Sequence, residues 1–321
     1  MPPLQKYSTY QLTYTIMQQT EKDALKNKII SRNELYELQG SRLKRVLKDP
    51  LRTLSFYTLQ LIGYLRPFKV TYTTLWGSKM RFFLPEGGMV YYYGFWEANL
   101  TNFFINFLKE GDVFIDIGAH VGYYSVLASD LVGATGKVYA FEPTPRTFLS
   151  LSENSQAKRN MDVFNNAILN ESTTIDFFDY GPKYSAFNSF KKRTAEEIFF
   201  KDDVTKISVS TISIDNFCNK NKVTPTFIKI DAEGSEYLIL SAMDSLLQNV
   251  RPIVSIEVST NKEWEENLEK SFAIFEKHGY DSYEISLGGT LKRCDAKEAR
   301  FYDNLLFIHP SKLHTVSNLL V

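Results

Sequence analysis

A chain of 321 residues with 44% hydrophobic and 14% aromatic side chains can bury a large core, and its length suits one main domain with an N-terminal appendage. Lys+Arg and Asp+Glu both number 37, so the net charge is zero and a diffusely basic surface for nucleic acid is not expected. Cys218 and Cys294 stand far apart without a C-x-x-C partner, and the N-terminal residues carry no apolar run of the secretion-signal kind; free thiols and a cytoplasmic location are expected.

Residues 5–20 are polar and give no element. From Glu21 to Lys48 the spacing of Leu25, Ile29, Leu35, Leu38, Leu43, Val46 and Leu47 among charges predicts one or two amphipathic helices. Such helices either pack on their own domain or serve as a dimer arm or membrane-surface contact. Leu51 to Leu65 is more apolar but shorter than the roughly 18 to 20 residues of a spanning helix, and reads as a docked helix. Lys69–Trp76 and Lys79–Leu84 alternate around Gly77-Ser78, which predicts a hairpin with a type II′ turn. The stretch from Gly88 to Leu100 is dense in aromatics, including Tyr91, Tyr92, Tyr93, Phe95 and Trp96. These rings serve either as core or as a pocket wall favourable to a cation, an attraction of about 0.5 to 2 kcal/mol. Ala98–Leu108 follows as a helix.

Residues 111–125 organise the rest. Val113 to Ile117 is a β-branched and apolar run that fits a strand buried on both faces, and it stops at a glycine turn. Tyr124, Leu127, Ala128 and Leu131 then recur at helical spacing. The turn reads D-x-G-x-x-x-G, with Asp116 in the strand end and Gly118 and Gly122 able to let a ligand approach the backbone. A dinucleotide fingerprint needs G-x-G-x-x-G, so the spacing suits a ligand without a pyrophosphate, and Asp116 could receive a cationic group such as an amine.

Lys137 to Phe141 is the second strand, ending in Glu142-Pro143. An acid about 20 residues beyond the glycines is where a ribose diol is held in such folds, which makes Glu142 a nucleoside-selecting residue. Thr144-Pro145 starts a helix running to about Arg159. Val163–Leu169 is the third strand, with Asn165 and Asn166 either at an adenine contact or simply at a turn. Thr173–Phe178 and Lys206–Ile212 add strands around a long connection, 180–205, of the kind that forms lids; Lys191, Lys192 and Arg193 within it either meet an anionic acceptor or face solvent. Ile214–Cys218 is a short helix. Thr226–Ile230 places Asp231 at a strand end aimed at the same crevice, with Glu233 a secondary choice beside Glu236 at the next helix start. Ile253–Val258 carries Glu257 near its end, Asn261–His278 is a helix, and Tyr280–Ile285 and Asn304–His309 complete seven core strands.

The motifs Gly111-Asp112-Val113-Phe114-Ile115-Asp116-Ile117-Gly118-Ala119-His120-Val121-Gly122, Phe141-Glu142-Pro143 and Phe227-Ile228-Lys229-Ile230-Asp231-Ala232-Glu233-Gly234-Ser235-Glu236 together resemble the FkbM-type methyltransferases. The resemblance covers roughly residues 90–310. It implies an α/β, Rossmann-like seven-stranded methyltransferase fold, a mostly parallel sheet with helices on both faces. It divides the chain into an N-terminal helical extension and β-hairpin over 1–84 and a methyltransferase domain over 85–321. It also implies S-adenosyl-L-methionine as cofactor and O-methylation of a hydroxyl on a sugar, glycan or natural-product acceptor. Cofactor-binding residues would be Glu97, Asp116, Gly118, Ala119, His120, Gly122, Glu142, Pro143, Asn166 and Asp231, with Asp231 and Glu257 catalytic and no metal ligand assigned. Where the family pattern has a His two residues past Glu257, this chain has Ser259. An NAD-dependent oxidoreductase, opposed by the absent third glycine, and a non-catalytic nucleoside-binding module are the alternatives. A small-molecule or carbohydrate acceptor is the expected partner, with no nucleic acid, no transmembrane segment, and a homodimer through the N-terminal helices as one arrangement.

Overall fold

A computed structural model describes residues 17–38, 41–190, 204–258, 262–298 and 303–321. Three helices come first: α1 (Gln19–Glu37), α2 (Arg42–Lys48) and α3 (Pro50–Leu65). Leu25, Ile29 and Leu35 of α1 are buried in the main core, as their spacing predicts. The hairpin strands β1 (Phe68–Thr73) and β2 (Lys79–Leu84) pair antiparallel, with Thr73 opposite Lys79. The expected two-residue II′ turn is instead a five-residue loop, 74–78. It is closed by hydrogen bonds from the Thr74 amide to the Ser78 carbonyl (2.8 Å) and from the Gly77 amide to Thr74 (3.0 Å). Tertiary bonds favour the longer loop, because Trp76 Nε1 and Ser78 Oγ both donate to the Asp130 carboxylate, at 3.1 and 2.5 Å.

The aromatic stretch folds as α4 (Gly88–Tyr93), ended by Gly94 in the left-handed region. Its carbonyls tie the N-terminal helices down: Arg52 donates to those of Tyr92 (2.6 Å) and Tyr91 (3.2 Å), and Arg32 to that of Tyr93 (3.3 Å). Tyr92, Tyr93 and Phe95 are buried in the core, whereas Val90 and Trp96 face a cavity. Helix α5 (Ala98–Phe107) leads into β3 (Val113–Ile117), α6 (Tyr123–Val132), β4 (Lys137–Phe141), α7 (Pro145–Ser155) and β5 (Met161–Phe164).

Beyond β5 the expected single strand 163–169 is two. β6 (Ala167–Ile168) leaves the main sheet and pairs with β8 (Thr205–Ile212), which pairs antiparallel with β7 (Thr174–Asp179). The break falls at Asn165, whose amide donates to the carbonyls of Glu142 and Pro143, both at 2.9 Å, so the chain turns across the end of β4. After α8 (Ile214–Asn221) come β9 (Phe227–Ile230), α9 (Glu236–Leu240), β10 (Ile253–Val258), α10 (Lys262–Lys277), β11 (Asp281–Ile285), β12 (Leu291–Cys294) and β13 (Asp303–Ile308).

The main sheet has the order β12-β11-β13-β10-β9-β3-β4-β5, parallel from β10 to β5 and antiparallel beyond. It therefore holds eight described strands rather than seven. The additional one, β12, is a short edge strand whose Lys292 and Arg293 are exposed, so it carries little apolar signal. Phe114 of β3 and Phe227 of β9 belong to one apolar cluster, and Ile115, Ile117, Ile228 and Ile230 to a second. Alternate residues of the central strands are thus buried on opposite faces, which makes this a Rossmann-like α/β sheet covered on both sides.

Candidate active site

A cavity of about 230 Å³ opens at the C-terminal ends of β3, β4, β9 and β10, lined there by Ile117, Phe141, Asp231 and Glu257. This is the crevice where open α/β sheets take their ligands. The turn after β3 has one wall of backbone. Gly118 sits at φ +77°, and a Cβ there would lie 1.8 Å from the Asp231 carbonyl oxygen, so only glycine lets β3 and β9 run this close. At Gly122, φ +89°, a Cβ would meet Leu151 Cδ1 at 2.6 Å.

Of the sequence-predicted residues, Glu97, Gly118, Ala119, His120, Glu142, Pro143, Asn166, Asp231 and Glu257 all line this cavity. Asp116 and Gly122 stand behind its wall. Asp116 is 1% exposed; its Oδ2 accepts from Ser125 Oγ at 2.5 Å and its Oδ1 lies 3.9 Å from Lys229 Nζ. Burial raises the Asp116 pKa, with Lys229 opposing.

Glu142, at one end, is held by the backbone. The amide of His120 donates to Oε2 (3.0 Å) and that of Thr144 to Oε1 (2.9 Å), and the side chain is buried. Each oxygen keeps a further lone pair for a ligand hydroxyl. Burial pushes the Glu142 pKa up, while His120 and Thr144 pull it down. Apolar surface lies next to this end, from Ile168, Leu169, Phe177 and Phe190, and Asn166 lines it with its amide 3.4 Å from the Ser210 carbonyl.

The opposite end is acidic and arranged around Lys229. Asp116 and Lys229 are register partners on neighbouring parallel strands, so their side chains emerge on the same face. Lys229 Nζ donates to Asp231 Oδ2 at 2.9 Å and lies 5.1 Å from the Tyr124 ring centroid. Burial alone would lower its pKa, but Asp231 and Asp116 outweigh burial and raise it, so the buried lysine stays charged. The Tyr124 hydroxyl donates to Glu97 Oε2 (2.6 Å), and Asn304 Nδ2 donates to Glu97 Oε1 (2.9 Å). Burial first, then the charges of Asp231, Glu233 and Glu97, push the Glu257 pKa well above the usual carboxylate range. Among the described residues, Asp231, Glu233 and Glu257 offer carboxylate oxygens within 4.8 Å of one another, a donor set of the type that holds a hard divalent cation.

Glu236 does not face the ligand side; it accepts from the amides of Ala232 (3.0 Å) and Gly234 (3.4 Å), shaping the loop that presents Asp231 and Glu233. Burial pushes its pKa up to about 7. Three of the five non-glycine residues at positive φ in the described chain, Glu97, His120 and Glu233, line the cavity, and such strained backbone gathers at functional sites.

Several residues here escaped the sequence reading. Lys229 had a visible signal, a lysine inside the apolar run Phe227–Ile230, which needs a buried counter-charge. Glu86 and Ser185 had none. Ser185 Oγ donates to Glu86 Oε2 (2.5 Å) and lies 2.7 Å from His120 Nε2, and the Ala186 amide donates to Glu86 Oε1 (2.8 Å). These bonds pin the described part of the long connection, 180–190, over the cavity. Lys191, Lys192, Arg193 and Ser259 lie outside the described residues.

A crevice at the strand ends of a Rossmann-like sheet, with a buried acid beside the glycine turn and carboxylates across from it, is the ligand-binding place of an open α/β fold. The chain belongs to the methyltransferase FkbM domain family, whose model matches residues 116–282. It is similar to the hexuronic acid methyltransferase AglP of Haloferax volcanii, 28% identical over 160 residues, 49% of this chain, and spans 61% of that relative's length. Among solved structures it is similar to methyltransferase FkbM from Methylobacillus flagellatus, at 14% identity and TM-score 0.41, covering 63% of this chain and 44% of that one. Fibrillarin from Aeropyrum pernix, solved with bound S-adenosyl-L-methionine, aligns at 14% identity and TM-score 0.36, over 66% of this chain and 75% of that one. No described helix is long and apolar enough to cross a membrane.

Proposed function

We propose that this protein transfers a methyl group from S-adenosyl-L-methionine to a hydroxyl of a sugar or related acceptor. The observation that carries the reading is the division of one cavity into a backbone-held acid, Glu142, and a cluster of carboxylates around Asp231 and Glu257. The residues present fit the donor: Glu142 has spare lone pairs for a ribose diol, Ile168, Leu169 and Phe177 offer apolar surface for a base, and Glu97 and Asp231 supply negative charge for a cation. S-adenosyl-L-methionine, when bound, supplies an electrophilic methyl carbon on a positively charged sulfur.

The chain's own residues then have separable tasks. The glycine turn, with Ala119, Pro143 and Asn166, shapes the nucleoside end; Asp116 acts from behind by holding Lys229 in place. Asp231 already accepts from Lys229 and orients the acceptor hydroxyl. Glu257, whose proton affinity burial and the neighbouring carboxylates raise, is the group that takes the hydroxyl proton once it is itself ionised. The relative's sugar substrate supports a carbohydrate acceptor. Residues 1–84 are read as an extension on a methyltransferase domain over 85–321. A cytoplasmic location accords with the free thiols of Cys218 and Cys294.

The test is an acceptor screen with methyl-labelled donor, run on the wild type and Asp231→Asn. Label should pass to a hydroxylated acceptor with the wild type and not with the variant; full activity of Asp231→Asn removes that residue from the reaction.

A further inference from the structure

The N-terminal helices carry a surface that the methyl-transfer site does not use. Eight of the fifteen exposed large hydrophobic side chains among the described residues lie between Leu43 and Leu65. On α3, Leu51 (84% exposed), Leu54, Leu61, Ile62 and Leu65 (79%) all face outward. At 100° per residue these positions fall within a stripe about 100° wide, a second apolar face turned to solvent on the side away from Phe56 and Leu59, which pack on the core. Leu43 and Leu47 extend the surface on α2, one helical turn apart.

The same segment is basic. Residues 41–66 hold six Lys or Arg against one acid, Asp49, in a chain of zero net charge, and Asp49 is occupied as the N-cap of α3, accepting from the Arg52 amide at 3.3 Å. Arg42, Lys44 and Arg66 are exposed around the leucines. Nor is the face loosely attached. Gly63 is buried, with a Cβ there only 2.9 Å from the Leu84 carbonyl carbon, and Gln60 donates to the Pro85 carbonyl at 3.0 Å, beside the cavity-lining Glu86.

We infer that the α2–α3 face is a docking surface for an anionic phospholipid bilayer. Leucines inserted at the acyl boundary with cations at headgroup level are the two halves of interfacial helix binding, and α3, about 24 Å long, would lie in the membrane plane. A second copy of the chain fits less well, because self-pairing would bring two faces of the same positive sign together.

The test is flotation of the full chain with phosphatidylcholine–phosphatidylserine vesicles and with pure phosphatidylcholine vesicles. Binding to the anionic vesicles is expected, weaker by about tenfold or more on neutral vesicles or at high salt. The variant L51S/L54S/L61S/L65S should lose about tenfold in binding with an unchanged circular dichroism spectrum. Should it misfold, the charge variant R42E/K44E carries the test, with a loss of the same order expected. No flotation of the wild type, or undiminished flotation of the folded variants, overturns the inference. A wild-type dimer that the leucine variant converts to monomer overturns it too, and assigns the face to a second copy.

Discussion

The two ends of the cavity hold carboxylates in opposite ways. Glu142 is gripped by two backbone amides that arrive with the glycine turn and the start of α7, so its place follows from local chain geometry. Asp231 and Glu233 on one loop, Glu257 on β10 and Glu97 before α5 come together from three segments, and Lys229 is the buried cation beside them. The first arrangement suits recognition, because two backbone amides fix the carboxylate in place and leave each oxygen a lone pair for a ligand. The second suits chemistry: packed like charges raise proton affinity, and a raised carboxylate can accept a proton at a pH where an ordinary one does so poorly.

That contrast can be broken most severely at Glu257. Glu257→Gln should lower turnover by about 10² to 10⁴-fold while leaving donor affinity within a few fold. The wild-type kcat/KM should climb with pH through a pKa above the normal carboxylate range, since the base works only after losing its proton, and the variant should lack this limb. A variant with the same limb would transfer the proton to another group.

Lys229 comes next. Lys229→Met leaves Asp116 without its buried cation and should cost about 3 to 5 kcal/mol in denaturant unfolding. Adding Asp116→Asn should recover part of the loss, because the two residues share one interaction. If the single variant is as stable as the wild type, the ion pair has no structural part in presenting Asp231.

The smallest effect belongs to the clasp over the cavity. Burial lowers the His120 pKa, but Glu86 more than offsets this, so the folded pKa is raised. The clasp therefore stabilises fully below the unfolded histidine pKa of about 6.5 and fades as pH rises through the folded value. Burial likewise opposes ionisation of Glu86, yet His120 and Ser185 hold its pKa below the ordinary glutamate value, so its share is lost in acid. His120→Gln should reduce the melting temperature near pH 6 by an amount equivalent to about 1 kcal/mol or less, and by less as the pH rises through the folded pKa. An equal drop across that range would rule out a charged clasp.

The differing legibility of the two ends has the same physical origin. Strand β3, the turn at Gly118, and Glu142 about twenty residues on are local patterns, readable from periodicity and from the φ that glycine permits. Asp231 was legible because a strand end points at the crevice whatever the rest of the sheet does. The Asp116–Lys229 pairing depends on β3 and β9 lying side by side in one register, which no local spacing encodes. The Glu86–Ser185 bond joins residues 99 apart, and each looks like an ordinary loop residue in sequence. The break at Asn165 and the 74–78 loop were missed for a related reason, since side-chain bonds to distant groups overrode strand and turn propensity there. The apolar content of α3 is visible in the sequence and reads as a docked helix, but nothing local shows that five of its aliphatic side chains point outward.

Recognition at Glu142 is open to direct measurement by calorimetric titration of S-adenosyl-L-methionine into the wild type and Glu142→Ala, with circular dichroism to verify the fold. Saturable binding to the wild type, weakened by about 1 to 3 kcal/mol in the variant, is the expected result. Equal affinity in a folded variant, or no binding to the wild type at all, would contradict the assignment of this cavity to the methyl donor.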